Sequence, residues 1–275
     1  MTSSDMYKAV ILARGLGTRM RKEDQAAKLT GAQEQMAQMG VKAMIPVDGQ
    51  RPFMDYMLSA IADAGYKEVA LIIGPEHDLV RQYYAKLPTT RLKISFGVQH
   101  KPLGTADAVA AAEDFAAGEP FLVINSDNYY PVESLAALRP ITTSGLSVYE
   151  REAMMAGSNI PADRVAKFAV VKITKDGFLE RIIEKPDPAT LEAMPRPLCL
   201  SMNCWRFAPS IFKACKAIKP SLRGELEITD AVQYSIDNLG ERFRVLAFRA
   251  PVLDLSCRGD IEAVAQKAKA LKVNL

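Results

Sequence analysis

Ala9-Val10-Ile11-Leu12-Ala13-Arg14-Gly15-Leu16-Gly17-Thr18-Arg19-Met20 is an apolar run that stops at two closely spaced glycines. Residues 9–13, bounded by that glycine turn, read as a buried strand. In an open parallel sheet, ligands gather at the carboxyl ends of strands, where a strand turns into its helix. Glycines there let the backbone come close, and its N–H groups point at an anion. The pattern is neither the dinucleotide fingerprint, since Met20 holds the third glycine position, nor a P-loop, since Gly-Lys-Ser/Thr is missing. Alone, Gly15 and Gly17 are equally a plain tight turn. Thr18-Arg19 shifts the reading toward phosphate, because a guanidinium grips two phosphate oxygens at once.

Outward from that strand, short apolar runs alternate with helix-like stretches. Residues 52–64 predict a helix: Phe53, Met57, Leu58 and Ile61 share one face, Pro52 suits the first turn and Gly65 ends it. Residues 69–73 predict a second buried strand, 76–86 a helix and 92–98 a third strand. An alanine-rich helix over 105–117, ended by Gly118, leads to a fourth strand over 121–125. Such alternation implies an α/β fold with a mainly parallel sheet covered by helices on both faces. Later, 165–173 and 178–183 flank Lys175-Asp176-Gly177 and predict a hairpin. Residues 199–207 and 244–248 are strand-like; 209–218, 227–239 and 259–271 are helix-like. No repeat or linker divides the chain, which reads as one domain over 1–275. Residues 20–40 are rich in Glu, Gln, Lys and Ala, and predict a polar helix or mobile loop: a solvated insertion, or a lid over the turn.

Composition narrows the function classes. The chain has 275 residues, 49% of them hydrophobic, which suffices for a buried core. Its 35 basic and 32 acidic residues leave a net charge of +3, which argues against a dedicated nucleic-acid or membrane surface. The four cysteines form no C-x-x-C pair, and the histidines are only His77 and His100, so zinc spacing is absent. Reduced thiols in a cytoplasmic protein are expected. Residues 1–7 are polar, unlike a signal peptide. No apolar run approaches the roughly 20 residues of a membrane helix.

Further motifs follow in order. Lys42-Ala43-Met44-Ile45-Pro46-Val47 precedes the first long helix. Gln99-His100-Lys101-Pro102-Leu103-Gly104-Thr105-Ala106 follows the third strand, and Asn125-Ser126-Asp127 closes the fourth. Glu184-Lys185-Pro186 and Val252-Leu253-Asp254-Leu255 come later. Together with residues 12–20, this series resembles the sugar-1-phosphate nucleotidylyltransferase family over nearly the whole chain. The resemblance implies a Rossmann-like, mainly parallel (mixed) sheet sandwiched by helices. A nucleotide-binding half would cover about 1–140, and a sugar-phosphate-binding half, with extra strands and helices, about 141–275. It implies condensation of a nucleoside triphosphate with a sugar 1-phosphate, giving a nucleoside diphosphate sugar and pyrophosphate, with Mg²⁺ as cofactor.

The same resemblance assigns roles. Arg19, Lys42 and Asp127 would be catalytic. Leu12, Ala13, Gly15, Gly17, Thr18, Gln99, Pro102, Gly104 and Thr105 would bind the nucleotide, Gln99 as base reader, since an amide both donates and accepts. Glu184, Lys185, Asn203 and Ala169 would bind the sugar phosphate, and Asp127 and Asp254 the Mg²⁺. Several positions depart from the family pattern. Arg14 replaces Gly or Ala, Ser126 and Ala169 replace glycines, and Leu255-Ser256-Cys257 replaces I-G-T. The gap from Arg19 to Lys42 is long, which makes Lys28 an alternative to Lys42. Two rivals remain: a nucleotide-sugar-dependent glycosyltransferase, which would want Asp-x-Asp where Asp127-Asn128-Tyr129 stands, and a non-catalytic nucleotide or sugar sensor. Base, sugar and oligomeric state stay open.

Overall fold

The computed structural model describes residues 6–24, 26–166 and 168–275. The first five residues of the polar start lie outside them.

The opening apolar run forms β1 (Lys8–Leu12), followed by α1 (Thr18–Arg21), α2 (Gly31–Met39) and a 3-10 turn over Lys42–Met44. Next come α3 (Phe53–Asp63), β2 (Glu68–Ile73), α4 (Asp78–Lys86), β3 (Lys93–Val98), α5 (Thr105–Ala110), α6 (Glu113–Ala116) and β4 (Phe121–Asn125). The helix expected over 105–117 is therefore broken, at Ala112 (φ −96°, ψ 3°). Its alanines Ala106, Ala108, Ala112 and Ala116 let both pieces lie close on the sheet.

β5 (Asn128–Tyr129), α7 (Val132–Ala136), β6 (Ser144–Glu150), α8 (Arg151–Gly157), α9 (Ala162–Val165), β7 (Ala169–Ile173), β8 (Leu179–Ile183) and α10 (Pro188–Ala193) follow. The chain ends with β9 (Cys199–Phe207), α11 (Ile211–Ala217), α12 (Ile228–Leu239), β10 (Phe243–Phe248), β11 (Leu253–Asp254) and α13 (Asp260–Ala268). The strand expected over 165–173 begins only at Ala169. Pro161 opens the short α9, and Val165 is that helix's buried residue rather than a strand residue.

A nine-stranded sheet runs β10-β6-β9-β4-β1-β2-β3, with the β7–β8 hairpin attached through β7 to β9. β1 is parallel to β2 and β4, β2 to β3, and β10 to β6. β9 runs antiparallel to β4, β6 and β7, so the sheet is mixed and mainly parallel. Alternate residues feed two cores. In β1, Ala9 and Ile11 join the core shared with α3, while Val10 joins the one beneath α5, α11 and α12. Strands from both halves of the sequence lie side by side, so the carboxyl ends of β1 and β4 open next to β9.

Candidate active site

The turn after β1 is held open by glycine geometry. Gly17 has φ 60°, and a Cβ there would lie 2.3 Å from the Gly40 carbonyl oxygen. The segment between Arg19 and Lys42 thus returns to the turn it leaves. α2 is capped at Thr30, whose hydroxyl accepts from Gln33 N while the Gln33 side chain accepts from Thr30 N. It ends at Gly40 (φ 74°), which lands the chain back on the glycine turn. Side chains tie the described part of the insertion to the rest of the fold. Arg258 Nη1 donates to both carboxylate oxygens of Glu34 (2.8 and 2.6 Å), Arg258 Nε to Met20 O (3.0 Å), and Gln33 Nε2 to Pro46 O (2.8 Å).

Between these elements lies a cavity of about 340 Å³ at the carboxyl ends of β1 and β4. Its lining includes Leu12, Ala13, Gly15, Gly17, Thr18, Gln99, Pro102, Gly104 and Thr105, together with Arg19, Lys42 and Asp127. Every residue expected to meet the nucleotide thus faces one space. Lys28 is exposed and outside the lining. Arg19 is exposed and has no ion pair among the described residues. Lys42 Nζ donates to Asp127 Oδ2 at 2.9 Å. Arg14 turns to Glu76, to which Nε and Nη2 donate at 3.3 Å, tying the turn to the loop after β2. Gln99 is 4% exposed, and its Nε2 donates to Gly104 O (3.0 Å) and Asp107 Oδ2 (2.8 Å).

Asp254 arrives from the far end of the chain on a two-stranded ribbon. β11 pairs antiparallel with β5, Asp254 opposite Asn128, and Leu255 N donates to Asp127 O at 2.8 Å. Asp127 and Asp254 are therefore backbone neighbours across the ribbon, although Asp254 does not line the cavity. Asp254 Oδ1 accepts from Asn128 Nδ2 (3.0 Å) and Ser256 Oγ (2.9 Å). Its Oδ2 lies 3.1 Å from Arg164 Nη2 and is otherwise buried without a hydrogen bond. Burial foremost, and then the Asp127 charge, push the Asp254 carboxyl up to about 6, against the pull of Arg164. Arg164 is itself forked onto Asp260 (3.0 and 2.8 Å). Two carboxylates brought to one ribbon offer hard oxygen ligands of the kind that suit a cation taking its remaining ligands from phosphate and water.

Ala169 and Glu184 each stand one residue beyond the Val170–Ile183 pair, at the open end of the hairpin, with Lys185 (φ 44°) next. Burial foremost, then Glu227, raises the Glu184 pKa, while Thr229 opposes the rise. None of these residues lines the cavity. Asn203 lies on β9. β9 bulges by two residues between the Cys204 and Ser201 pairings, Asn203 takes φ 56° there, and its Oδ1 accepts from Trp205 Nε1 (3.2 Å). Asn tolerates that backbone region, which accounts for its presence. Ser201, on β9 opposite Ala169, has its Oγ buried without a hydrogen bond among the described residues. Sequence reasoning missed Asn128, Asn159, Arg164 and Asp107. The Asn-Tyr after Asp127 was a signal, since it supplies Asp254's partner.

The sequence matches the nucleotidyl transferase family over residues 8–247. The chain belongs to that family. It is 31% identical over 236 residues to a glucose-1-phosphate thymidylyltransferase of Streptomyces griseus, covering 84% of this chain and 57% of that protein. It is 25% identical over 228 residues to a UTP–glucose-1-phosphate uridylyltransferase of Haloferax volcanii, covering 83% of each. The chain spans under three fifths of the length of the Streptomyces relative. The fold is that of a UDP-glucose pyrophosphorylase solved with UDP-glucose, with TM-score 0.73 and 19% identity over 96% of this chain and 98% of that one.

Proposed function

We propose that the chain condenses a nucleoside triphosphate with a sugar 1-phosphate, releasing pyrophosphate, with Mg²⁺ as the metal. The observation that carries this reading is the single cavity shared by the glycine turn, Arg19, Lys42, Gln99 and Asp127. The attacking sugar phosphate oxygen is already anionic, so no general base is needed. It bonds to the α-phosphorus as the bond to the β-phosphate oxygen breaks. The barrier is charge crowding and alignment. Arg19, free of ion pairs among the described residues, would grip the triphosphate, and backbone N–H groups of the turn would face its oxygens. Lys42 would hold Asp127 and share its charge with the phosphate. Asp127 and Asp254 would hold Mg²⁺, which neutralises charge on the reacting phosphates. Glu184, Lys185, Ala169 and Asn203 would receive the sugar phosphate beside the hairpin.

On this reading about 1–140 serves the nucleotide and about 141–275 the sugar phosphate. Cytoplasmic residence fits the four free thiols. No helix among the described residues is long and apolar enough to cross a membrane. The named relatives make UTP or dTTP with glucose 1-phosphate the first pairs to try. The test is a matrix of nucleoside triphosphates against sugar 1-phosphates, scored by pyrophosphate release. At least one pair should exceed a metal-free control; if none does, a sensor of this fold replaces the enzyme.

A further inference from the structure

We infer that Asp107 is a positioning residue for base selection. It locks the Gln99 amide with nitrogen inward and oxygen toward the cavity, which favours a base whose pairing-edge ring nitrogen carries a hydrogen. This rests on reading the cavity as the nucleotide site.

An atom lying between a carbonyl and a carboxylate must be the amide nitrogen, because an oxygen there would face two acceptors. Nε2 of Gln99 has that place, 3.0 Å from Gly104 O and 2.8 Å from Asp107 Oδ2. Both amide hydrogens are thus used inside the protein. Oε1 is the side-chain atom left for a ligand on a residue that lines the cavity. Asp107 is not in the lining, so it acts through Gln99.

The other anchor is rigid. Gly104 has φ 125°, and a Cβ there would lie 2.4 Å from Leu226 O. Leu226 N donates to Leu103 O (2.7 Å), and Ala106 N donates to Leu226 O (2.8 Å). Losing Asp107 would free one amide hydrogen and let the amide swing, presenting donor and acceptor alike. A locked Oε1 only accepts. Uracil and thymine offer N3–H and guanine offers N1–H at the pairing edge, whereas cytosine and adenine offer a lone pair at the corresponding nitrogen, which Oε1 repels.

Calorimetric binding of UTP, dTTP, GTP, CTP and ATP, with Mg²⁺ and without sugar phosphate, tests this apart from turnover. Wild type should bind its best N–H base about tenfold tighter than CTP and ATP, the order of one hydrogen bond made rather than repelled. Asp107→Ala should shrink that ratio below about threefold. Asp107→Asn, which keeps an acceptor oxygen, should restore it. Asp107→Ser, too short to reach Nε2, takes Ala's place if the Ala variant melts below the assay temperature. Equal weakening of all nucleotides by Asp107→Ala, no restoration by Asp107→Asn, or a wild-type preference for CTP or ATP overturns the inference. Wild type binding no triphosphate overturns the nucleotide-site reading itself, an outcome distinct from binding without preference.

Discussion

Asp254 stands on β11 and Asp127 in the turn that leads into its partner strand β5, yet their surroundings differ. The Asp127 side chain is 22% exposed, lines the cavity and is held by one lysine. Asp254 is 4% exposed, has Asn128, Ser256 and Arg164 on its carboxylate, and has its backbone clasped by Asn159 (2.9 and 2.7 Å). Lysine is a point charge on a flexible stem, so Lys42 can turn to an arriving phosphate. Arg164 is a planar fork already committed to Asp260, so it cannot follow. One carboxylate is open to the cavity, while the other is fastened into the fold around the ribbon.

The largest effect should fall on turnover at Asp127. Asp127→Asn keeps the shape and removes the charge at the cavity wall. Turnover should drop about 10²- to 10³-fold, the order seen when one preorganised electrostatic contact is lost. Its melting temperature should stay close to wild type. Asp254→Asn should cost less turnover and raise the Mg²⁺ concentration needed for half-maximal rate. Steady-state rates across a MgCl₂ series separate the two. Equal losses with unchanged Mg²⁺ dependence would erase the distinction.

Next in size is stability at the two cations. Arg164→Ala strands Asp254 and Asp260 in a buried place beside Asp127. Removing one partner of a buried pair costs about 3–5 kcal/mol. Lys42→Ala leaves Asp127 within reach of water and should cost about 1 kcal/mol or less. Mg²⁺ should raise the melting temperature of Arg164→Ala more than that of wild type, because a bound cation supplies the lost charge. Equal destabilisation by both substitutions, or no extra Mg²⁺ response, would show that Arg164 does not serve as Asp254's counter-charge.

The same contrast marks what was legible in the sequence. The cavity side was readable because its parts are local: an apolar strand, a glycine turn, a lysine before a helix. Each carries a period or a backbone demand, and all twelve of the residues assigned to nucleotide and catalysis face the cavity. The Asp254 side was not, because apart from Ser256 its partners come from residues 128, 159 and 164, which no spacing rule joins. β6 escaped for another reason. Ser144, Gly145 and Ser147 interrupt its apolar run, though both serine hydroxyls are bonded inside, Ser147 to Ser134 O at 2.8 Å and Ser144 to Glu241 at 2.7 Å. Gln99 lines the cavity as its motif implies, but no spacing rule points to Asp107 behind it. Gln99→Glu would therefore set a carboxylate against Asp107 and the Gly104 carbonyl, testing repulsion as much as base reading.

A buried carboxylate away from the cavity gives the smallest and sharpest control. Asp55, on α3, is fully buried and accepts from Tyr83 Oη (3.0 Å) and Tyr84 Oη (2.9 Å), with Arg51 3.8 Å away. Burial, the largest influence, raises its pKa above 3.8; the two tyrosines and Arg51 pull it back, and Asp48 adds to the rise. A raised folded value means the native state holds this proton more tightly than the unfolded chain. Asp55's contribution to stability is therefore greatest near pH 4 and declines as pH rises through the raised value. Asp55→Asn is neutral at every pH, and its amide can still bond both hydroxyls. Melting curves of wild type and Asp55→Asn should nearly coincide at pH 4, with the variant gaining on wild type by pH 7. Asp254 differs because Mg²⁺ favours its charged form, so added MgCl₂ should leave the Asp55→Asn difference unchanged. Parallel pH profiles would mean that the tyrosines fully offset Asp55's burial, and a Mg²⁺-dependent difference would mean that buried carboxylates in this fold do not divide into metal-linked and metal-free kinds.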